Sequence, residues 1–221
     1  MQQLIDIGRD LNAVIIGLGG QGLRRAKAIE IAKGWKLAGV FDTDQKRCRQ
    51  VCERFHWRLI DCLQTAVSHP DIDLVVIAVP PAHHDEIMKL ACQFQKHILC
   101  EKPLTIWPEN FHEQLPCGVQ GSQILATGFN HRFYGPVLDA VELIHQNKLG
   151  QIQQINGRIG SPTPDSKLDG WHGNASISGG GVLTDNGSHL IDLLQMILRR
   201  PFNTPSSTVK DRHLNQILKL M

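Results

Sequence analysis

The stretch AVIIGLGGQGLRRAKAIEIAKG, residues 13–34, decides the fold of this 221-residue chain. It opens with a short, continuous apolar run, the pattern of a strand buried on both faces. It closes with a helical pattern, and Gly17-x-Gly19-x-x-Gly22 fills the turn between them. Gly17 permits a tight strand-to-helix reversal, Gly19 lets the backbone approach a pyrophosphate, and Gly22 permits close helix–strand packing. Gln21 belongs to the same turn, and the unpaired N–H groups at the helix start would face the phosphates. Arg24 or Arg25 could add charge there, or either could lie on a solvated helix face.

A glycine turn alone is a weak signal, and Asp42 strengthens it. It ends the next apolar run, KLAGVFD (36–42), 20 positions beyond Gly22. A carboxylate there accepts hydrogen bonds from both hydroxyls of an adenine ribose and repels a 2′-phosphate. NAD is therefore the expected cofactor, with Lys46 and Arg47 leaving NADP open.

The alternation continues along the chain. DQKRCRQVCERF reads as a helix, DIDLVVIAVP (71–80) as a strand and HHDEIMKLACQFQ as a helix. KHILCEKP follows as a strand, then a shorter helix broken near Pro116, then SQILATGF (122–129) as another strand. Apolar strands alternating with helices predict an α/β fold over residues 1–128: a Rossmann, doubly wound parallel sheet. The carboxyl ends of its strands should line the binding crevice. Val79, Pro80, Pro81 and His83 end one strand, and Glu101, Lys102 and Pro103 end the next. A cis bond before Pro103 would aim Lys102 inward.

The pattern changes after residue 128, and residues 129–221 are expected to form an incomplete α+β domain. GPVLDAVELIHQNKLG (135–150) reads as a helix. QIQQINGRIG (151–160) alternates like a half-exposed antiparallel strand, and a Pro/Gly/Ser-rich loop (161–178) follows. GVLTDNGSHLIDLLQMILRR then reads as one long helix, and the tail is loop-like before a short amphipathic end. On that helix Asp185 and His189, spaced i, i+4, share a face. By themselves they read equally as a reactive pair or as a dipole-complementing acid beside a core histidine. A metal site would need further ligands at matching spacing, and none is expected.

Bulk properties narrow the setting. A net charge of +2 with mixed signs and no dense basic run gives no nucleic-acid footprint. The first residues lack the pattern of a secretion signal, and no apolar run approaches the ~20 residues of a membrane span. The six cysteines (48, 52, 62, 92, 100 and 117) are scattered, which fits reduced, mostly buried thiols in a soluble cytoplasmic protein.

Taken together, GLGGQG, FD, AVPPAHH, CEKPL, GFNHRFYGPV, LGQI and GGGVLTDNGSHLID resemble, in order, the glucose–fructose oxidoreductase / inositol dehydrogenase (Gfo/Idh/MocA) family. The resemblance spans residues 12 to about 198. It implies an NAD(P)-dependent oxidoreductase moving a hydride between nicotinamide and a hydroxyl-bearing carbon of a sugar, sugar acid or polyol. It also implies that Lys102 is the active-site lysine, Asp185 the substrate-contacting acid and His189 the general base. Asn130 and Arg132 would pass near nicotinamide and substrate. Trp171 and His172 precede the triple glycine, where an aromatic could meet a sugar face or simply pack. Histidine suits proton transfer near neutral pH, and a lysine cation can polarise the reacting oxygen.

The chain departs from the family pattern after Pro201, where no alternation supplies the broad sheet of the second domain. The chain reads as truncated there, which leaves homo-oligomerisation through that sheet in doubt. The alternative to an active dehydrogenase is a catalytically inactive nucleotide-binding remnant or interaction protein.

Overall fold

Five parallel strands form one sheet in the computed structural model, which describes residues 8–111, 122–160, 169–199, 207–208 and 219–220. The strands are β1 (Leu11–Ile16), β2 (Trp35–Phe41), β3 (Leu74–Ile77), β4 (His97–Cys100) and β5 (Leu125–Thr127). Helices α1 (Gly20–Ile31), α2 (Gln45–Phe55), α3 (Leu63–Ser68) and α4 (His84–Gln93) connect the first four. The described residues divide into two compact units, one reaching to Phe129 and including Gly160–Ser188, the other comprising Asn130–Ile159 and the chain from His189.

In the first unit the strand order is β2-β1-β3-β4-β5, so the sheet reverses direction of growth beside β1. A further residue extends it beyond β2: Leu59 makes an isolated parallel bridge to Val40. That bridge occupies the place of the outer third strand in a doubly wound dinucleotide fold. The apolar runs resolve into two faces by the period-two geometry of strands. Val14, Ile16, Val75, Ile77 and Ile98 pack with Ala66, Val67, Met88 and Ala91. Ile15, Val40 and Val76 pack on the other side with Ala26, Cys48, Cys52 and Trp57. Complete burial of such aliphatic side chains contributes about 1.5–3 kcal/mol each. The doubly covered parallel sheet expected from the sequence is present.

Sequence reading missed α3. Its signal is Leu63, Ala66 and Val67 at helical spacing, preceded by a cysteine cap: the Thr65 amide donates to Cys62 Sγ at 3.3 Å.

In the second unit, α5 (Gly135–His145) ends earlier than expected and buries Val141. The segment 151–160, expected as a strand, pairs with no strand among the described residues. Its alternation marks a face, but a strand exists only through a ladder with a neighbour. Beyond Pro201 the structure describes one short antiparallel pair, Ser207–Thr208 with Lys219–Leu220.

The long helix after the glycines is also not uniform. Leu183–Gly187 is wound as a π-helix and only Ser188–Leu198 is α-helical. Asp185 therefore lies in the π-helical segment and His189 in the α-helix that follows it.

The helix expected near Pro116, the loop of 161–168 and Cys117 lie outside the described residues. Cys48, Cys52, Cys62 and Cys100 are free thiols, but Cys92 is disulfide-bonded, which corrects the all-reduced expectation. Pairing depends on spatial approach, which cysteine spacing alone does not reveal. No helix among the described residues is long and apolar enough to cross a membrane.

Candidate active site

The turn between β1 and α1 is built as its glycines require. Gly17 has φ +96°, and a Cβ there would lie 2.5 Å from the Ala78 carbonyl oxygen. A Cβ on Gly22 would lie 1.8 Å from the Gly17 carbonyl oxygen, so α1 can approach the turn only at a glycine. Gly19 differs: a Cβ there meets no protein atom within 4 Å. Packing does not demand glycine at this position, but a group bound against the turn would. Gly19 also caps α1 and has no side chain to bond the first helical N–H groups, which are left for an anion.

This turn borders a cavity of about 860 Å³ in the first unit. Gly17, Gly19, Gln21, Asp42, Val79, Pro80, His83, Glu101 and Lys102 all line it, as do Trp171, His172 and Asp185. Gly22 stands behind the wall as a packing residue.

Asp42 is 7% exposed and firmly held. One carboxylate oxygen accepts from the Leu18 amide at 2.6 Å, the other from the Asp44 amide at 2.8 Å. An ionised carboxylate has about four lone-pair sites, so each oxygen keeps capacity for a ribose hydroxyl. Arg47 lines the cavity but pairs with Asp44 at 3.0 Å and stands 3.9 Å from Asp42. Asp44 caps α2 through the Arg47 amide at 3.0 Å, and these Arg47 bonds hold its carboxyl below the usual range.

The structure separates the two arginines that the sequence left undecided. Arg24 lines the cavity. Arg25 instead bonds Glu101 at 2.6 and 2.7 Å, so the Glu101 carboxylate is committed to an ion pair within the wall.

At the end of β4 the Lys102–Pro103 peptide is cis, and the Lys102 side chain is 13% exposed. Its ammonium donates to the backbone carbonyl of Asp185 at 2.8 Å and to the carboxylate of the same residue. A cation and a carboxylate thus sit together in a wall shared with the glycine turn. Trp171 and His172 stack at 3.6 Å between ring centroids, so part of the indole face is covered by its neighbour.

Asn130, Arg132 and His189 belong to the second unit. His189 is 6% exposed, and its ring stacks on His131 at 3.9 Å between centroids. Asn130 donates to the Tyr134 hydroxyl at 3.3 Å. Arg132, expected near substrate, forms a two-bond pair with the buried carboxylate of Asp192, at 2.7 and 2.5 Å. Sequence reasoning singled out neither His131 nor Asp192 as a functional position. Asp192 follows His189 by three residues, so it was visible only as the last letter of the GSHLID string.

Comparison with known proteins places this geometry. The model of the NAD-binding Rossmann fold of the GFO/IDH/MocA oxidoreductase family matches residues 11–129, and a GFO/IDH/MocA C-terminal domain model matches residues 137–215. Glucose-6-phosphate 3-dehydrogenase of Bacillus subtilis is 29% identical over 198 residues, covering 89% of this chain and 56% of that protein. D-glucoside 3-dehydrogenase of Escherichia coli is 30% identical over 169 residues, covering 75% of this chain and 47% of the relative. Among solved structures, GenD2 from gentamicin A biosynthesis, in complex with NAD, superposes with a TM-score of 0.73 at 22% identity. That match covers 95% of this chain and 60% of GenD2, and is a likeness of fold. The chain spans about half the length of the curated relatives it matches.

Proposed function

Because the chain belongs to the GFO/IDH/MocA oxidoreductase family and carries its NAD-binding Rossmann domain, we propose an NAD(P)-dependent oxidation or reduction, with NAD the preferred cofactor, at a hydroxyl-bearing carbon of a sugar, sugar acid or polyol. The observation that carries this reading is the Lys102–Asp185 pair, set in the cavity that also holds the glycine turn and Asp42. Bound there, nicotinamide would supply the hydride acceptor or donor.

In this reading the helix start at Gly19 receives phosphate and Asp42 accepts from the ribose hydroxyls. Gln21, Val79, Pro80, His83 and Glu101 complete the cofactor wall. Lys102 directs a cation at the reacting oxygen, Asp185 holds the lysine or a neighbouring hydroxyl, and His189 takes the proton. Trp171 and His172 are assigned to the sugar, with Asn130 in a minor role. Arg132 acts by holding Asp192. A cytoplasmic setting is proposed because four of the five described cysteines, Cys48, Cys52, Cys62 and Cys100, are free thiols, against the one disulfide at Cys92.

Two relatives are named as 3-dehydrogenases of glucose 6-phosphate and of D-glucosides, so the substrate panel begins with hexoses and their phosphates. NADH binding is read by fluorescence and turnover by cofactor absorbance, for the wild type and for Lys102→Ala and His189→Ala. Turnover lowered by about 10²-fold or more in both variants supports the reading. A folded, NADH-binding chain that turns over no member of a sugar and polyol panel overturns it, leaving a nucleotide-binding protein.

A further inference from the structure

One imidazole in the first unit is buried without belonging to any role above. His84 is the first residue of α4 and is 0% exposed. Its Nδ1 lies 2.9 Å from the carbonyl oxygen of Pro103, and its Nε2 lies 3.0 Å from that of Val79. Val79 follows β3 and Pro103 follows Lys102, and both line the cavity. A single ring therefore spans the carboxyl ends of two adjacent strands.

These carbonyls lie in turns short of backbone donors, because Pro80, Pro81 and Pro103 have no N–H. An unsatisfied buried carbonyl is costly; the neutral ring has one N–H and can donate to one of the two, and only the protonated ring donates to both. The next residue makes a second tie to the same turn. The Thr105 hydroxyl donates to the Asp85 carboxylate at 2.9 Å, and Thr105 Oγ1 accepts from the Trp107 amide at 3.0 Å. Burial pushes the His84 pKa below the ordinary imidazole value, while the Val79 and Pro103 carbonyls pull it upward. An aliphatic residue would fill this core position without that burial cost, so the polar ring is explained by what it holds.

We infer that His84, backed by Asp85, is the positioning residue for Lys102: it fixes the turn after β4 against the turn after β3 and so sets where the ammonium stands. The inference rests on the proposed role of Lys102, and the test separates the two.

The first measurement is independent of turnover. Lys102 acylation by an amine-selective reagent is followed by peptide mapping in the wild type, His84→Leu, His84→Gln and Thr105→Val. In His84→Leu, Lys102 is expected to acylate several-fold faster, and in His84→Gln, which keeps an N–H donor, less so. Thr105→Val, which removes only the Asp85 tie, carries the test if His84→Leu does not fold. The second measurement is kinetic. A displacement of about 1 Å can cost about 10²-fold in rate, so kcat should fall by up to that factor with little change in KM. In a Lys102→Ala background the same His84 substitution should cost almost nothing further. Wild-type acylation of Lys102 in every variant, or kcat losses that multiply in the double variant, would overturn the inference. If no sugar is turned over, the acylation result alone decides the role of His84 while the dehydrogenase reading falls.

Discussion

Lys102 donates to Asp185 twice, once to its backbone carbonyl and once to its carboxylate, across 83 positions of sequence. The double contact fixes the lysine to both the main chain and the side chain of the first π-helical turn. The Lys102 side chain is mostly buried and the Asp185 side chain 44% exposed, so the pair is open to solvent on the carboxylate side. A substrate hydroxyl approaching from that side would meet both charges.

Replacing Lys102 by alanine should therefore lower kcat by about 10²–10³-fold, the usual effect of deleting one donor to a developing oxyanion. NADH affinity should change little. Asp185→Asn keeps an acceptor for the ammonium and should cost less. Steady-state kinetics paired with NADH titration checks this: a Lys102→Ala variant with unaltered kcat and weakened NADH binding would move Lys102 to the cofactor.

The glycines of the turn make opposite predictions. Gly22→Ala forces a Cβ to within 1.8 Å of the Gly17 carbonyl oxygen and should destabilise the fold by 2 kcal/mol or more, about the range for a severe packing clash. Gly19→Ala meets no protein atom and should leave Tm within about 1–2 °C of the wild type while weakening NADH binding roughly tenfold or more. Thermal melts and NADH titrations of the two variants separate them. Equal NADH affinity in Gly19→Ala would show that the cofactor does not approach that backbone.

The Rossmann half was legible because each of its signals is local. The strand runs of β1 and β3, the glycine spacing and Asp42 at the next strand end all follow from short-range geometry. The choice between Arg24 and Arg25 was not, since adjacent residues on a helix differ only in which neighbour they meet. Arg25 meets Glu101, 76 positions away. The π turn at Leu183–Gly187 was invisible for a different reason: its composition is compatible with an α-helix, and the winding is a tertiary outcome. The strand expected at 151–160 carries a correct-looking alternation and has no ladder partner among the described residues.

The free cysteines should differ sharply in reactivity. Cys62 is exposed, and hydrogen bonds from the hydroxyl and amide of Thr65 hold its thiol below the ordinary value. Burial pushes Cys48 up to about 11 and raises Cys52 and Cys100 as well. Since the thiolate is the nucleophile, iodoacetamide at pH 8 should label Cys62 first, with Thr65→Val slowing it. Mass spectrometry of timed aliquots reads the order, and early labelling of Cys48 would contradict the packing of α2.

Arg132 and Asp192 form a well-aligned ion pair in the second unit, with two bonds and an Asp192 side chain only 7% exposed. Hydrogen bonds to charged groups contribute about 1.5–3 kcal/mol, and exposure of Arg132 reduces that, so Arg132→Ala should cost about 1–2 kcal/mol. Asp192→Asn should cost less than Asp192→Leu, because an amide still accepts one bond. If Arg132→Ala instead left stability unchanged and raised the KM for sugar, the residue would be a substrate contact after all.

His84 makes stability depend on pH with a definite sign. Burial places its folded-state pKa below the ordinary value of about 6.5, so the unfolded chain binds the proton more readily. Stability is then complete above the unfolded pKa and declines as pH falls through it toward the folded pKa, by at most about 1.4 kcal/mol per pH unit for one proton. The charge of the neighbouring Asp85 opposes this by favouring the charged ring, as do the Val79 and Pro103 carbonyls. Asp73, whose carboxyl is held low by Arg9, loses its contribution only at more acid pH. Urea melts between pH 7 and pH 5 should show the wild type weakening, with a shallower slope in His84→Leu. An identical slope in the variant would mean that His84 takes up its proton in the folded chain as readily as in the unfolded one, and that its ring stands cationic between the two carbonyls.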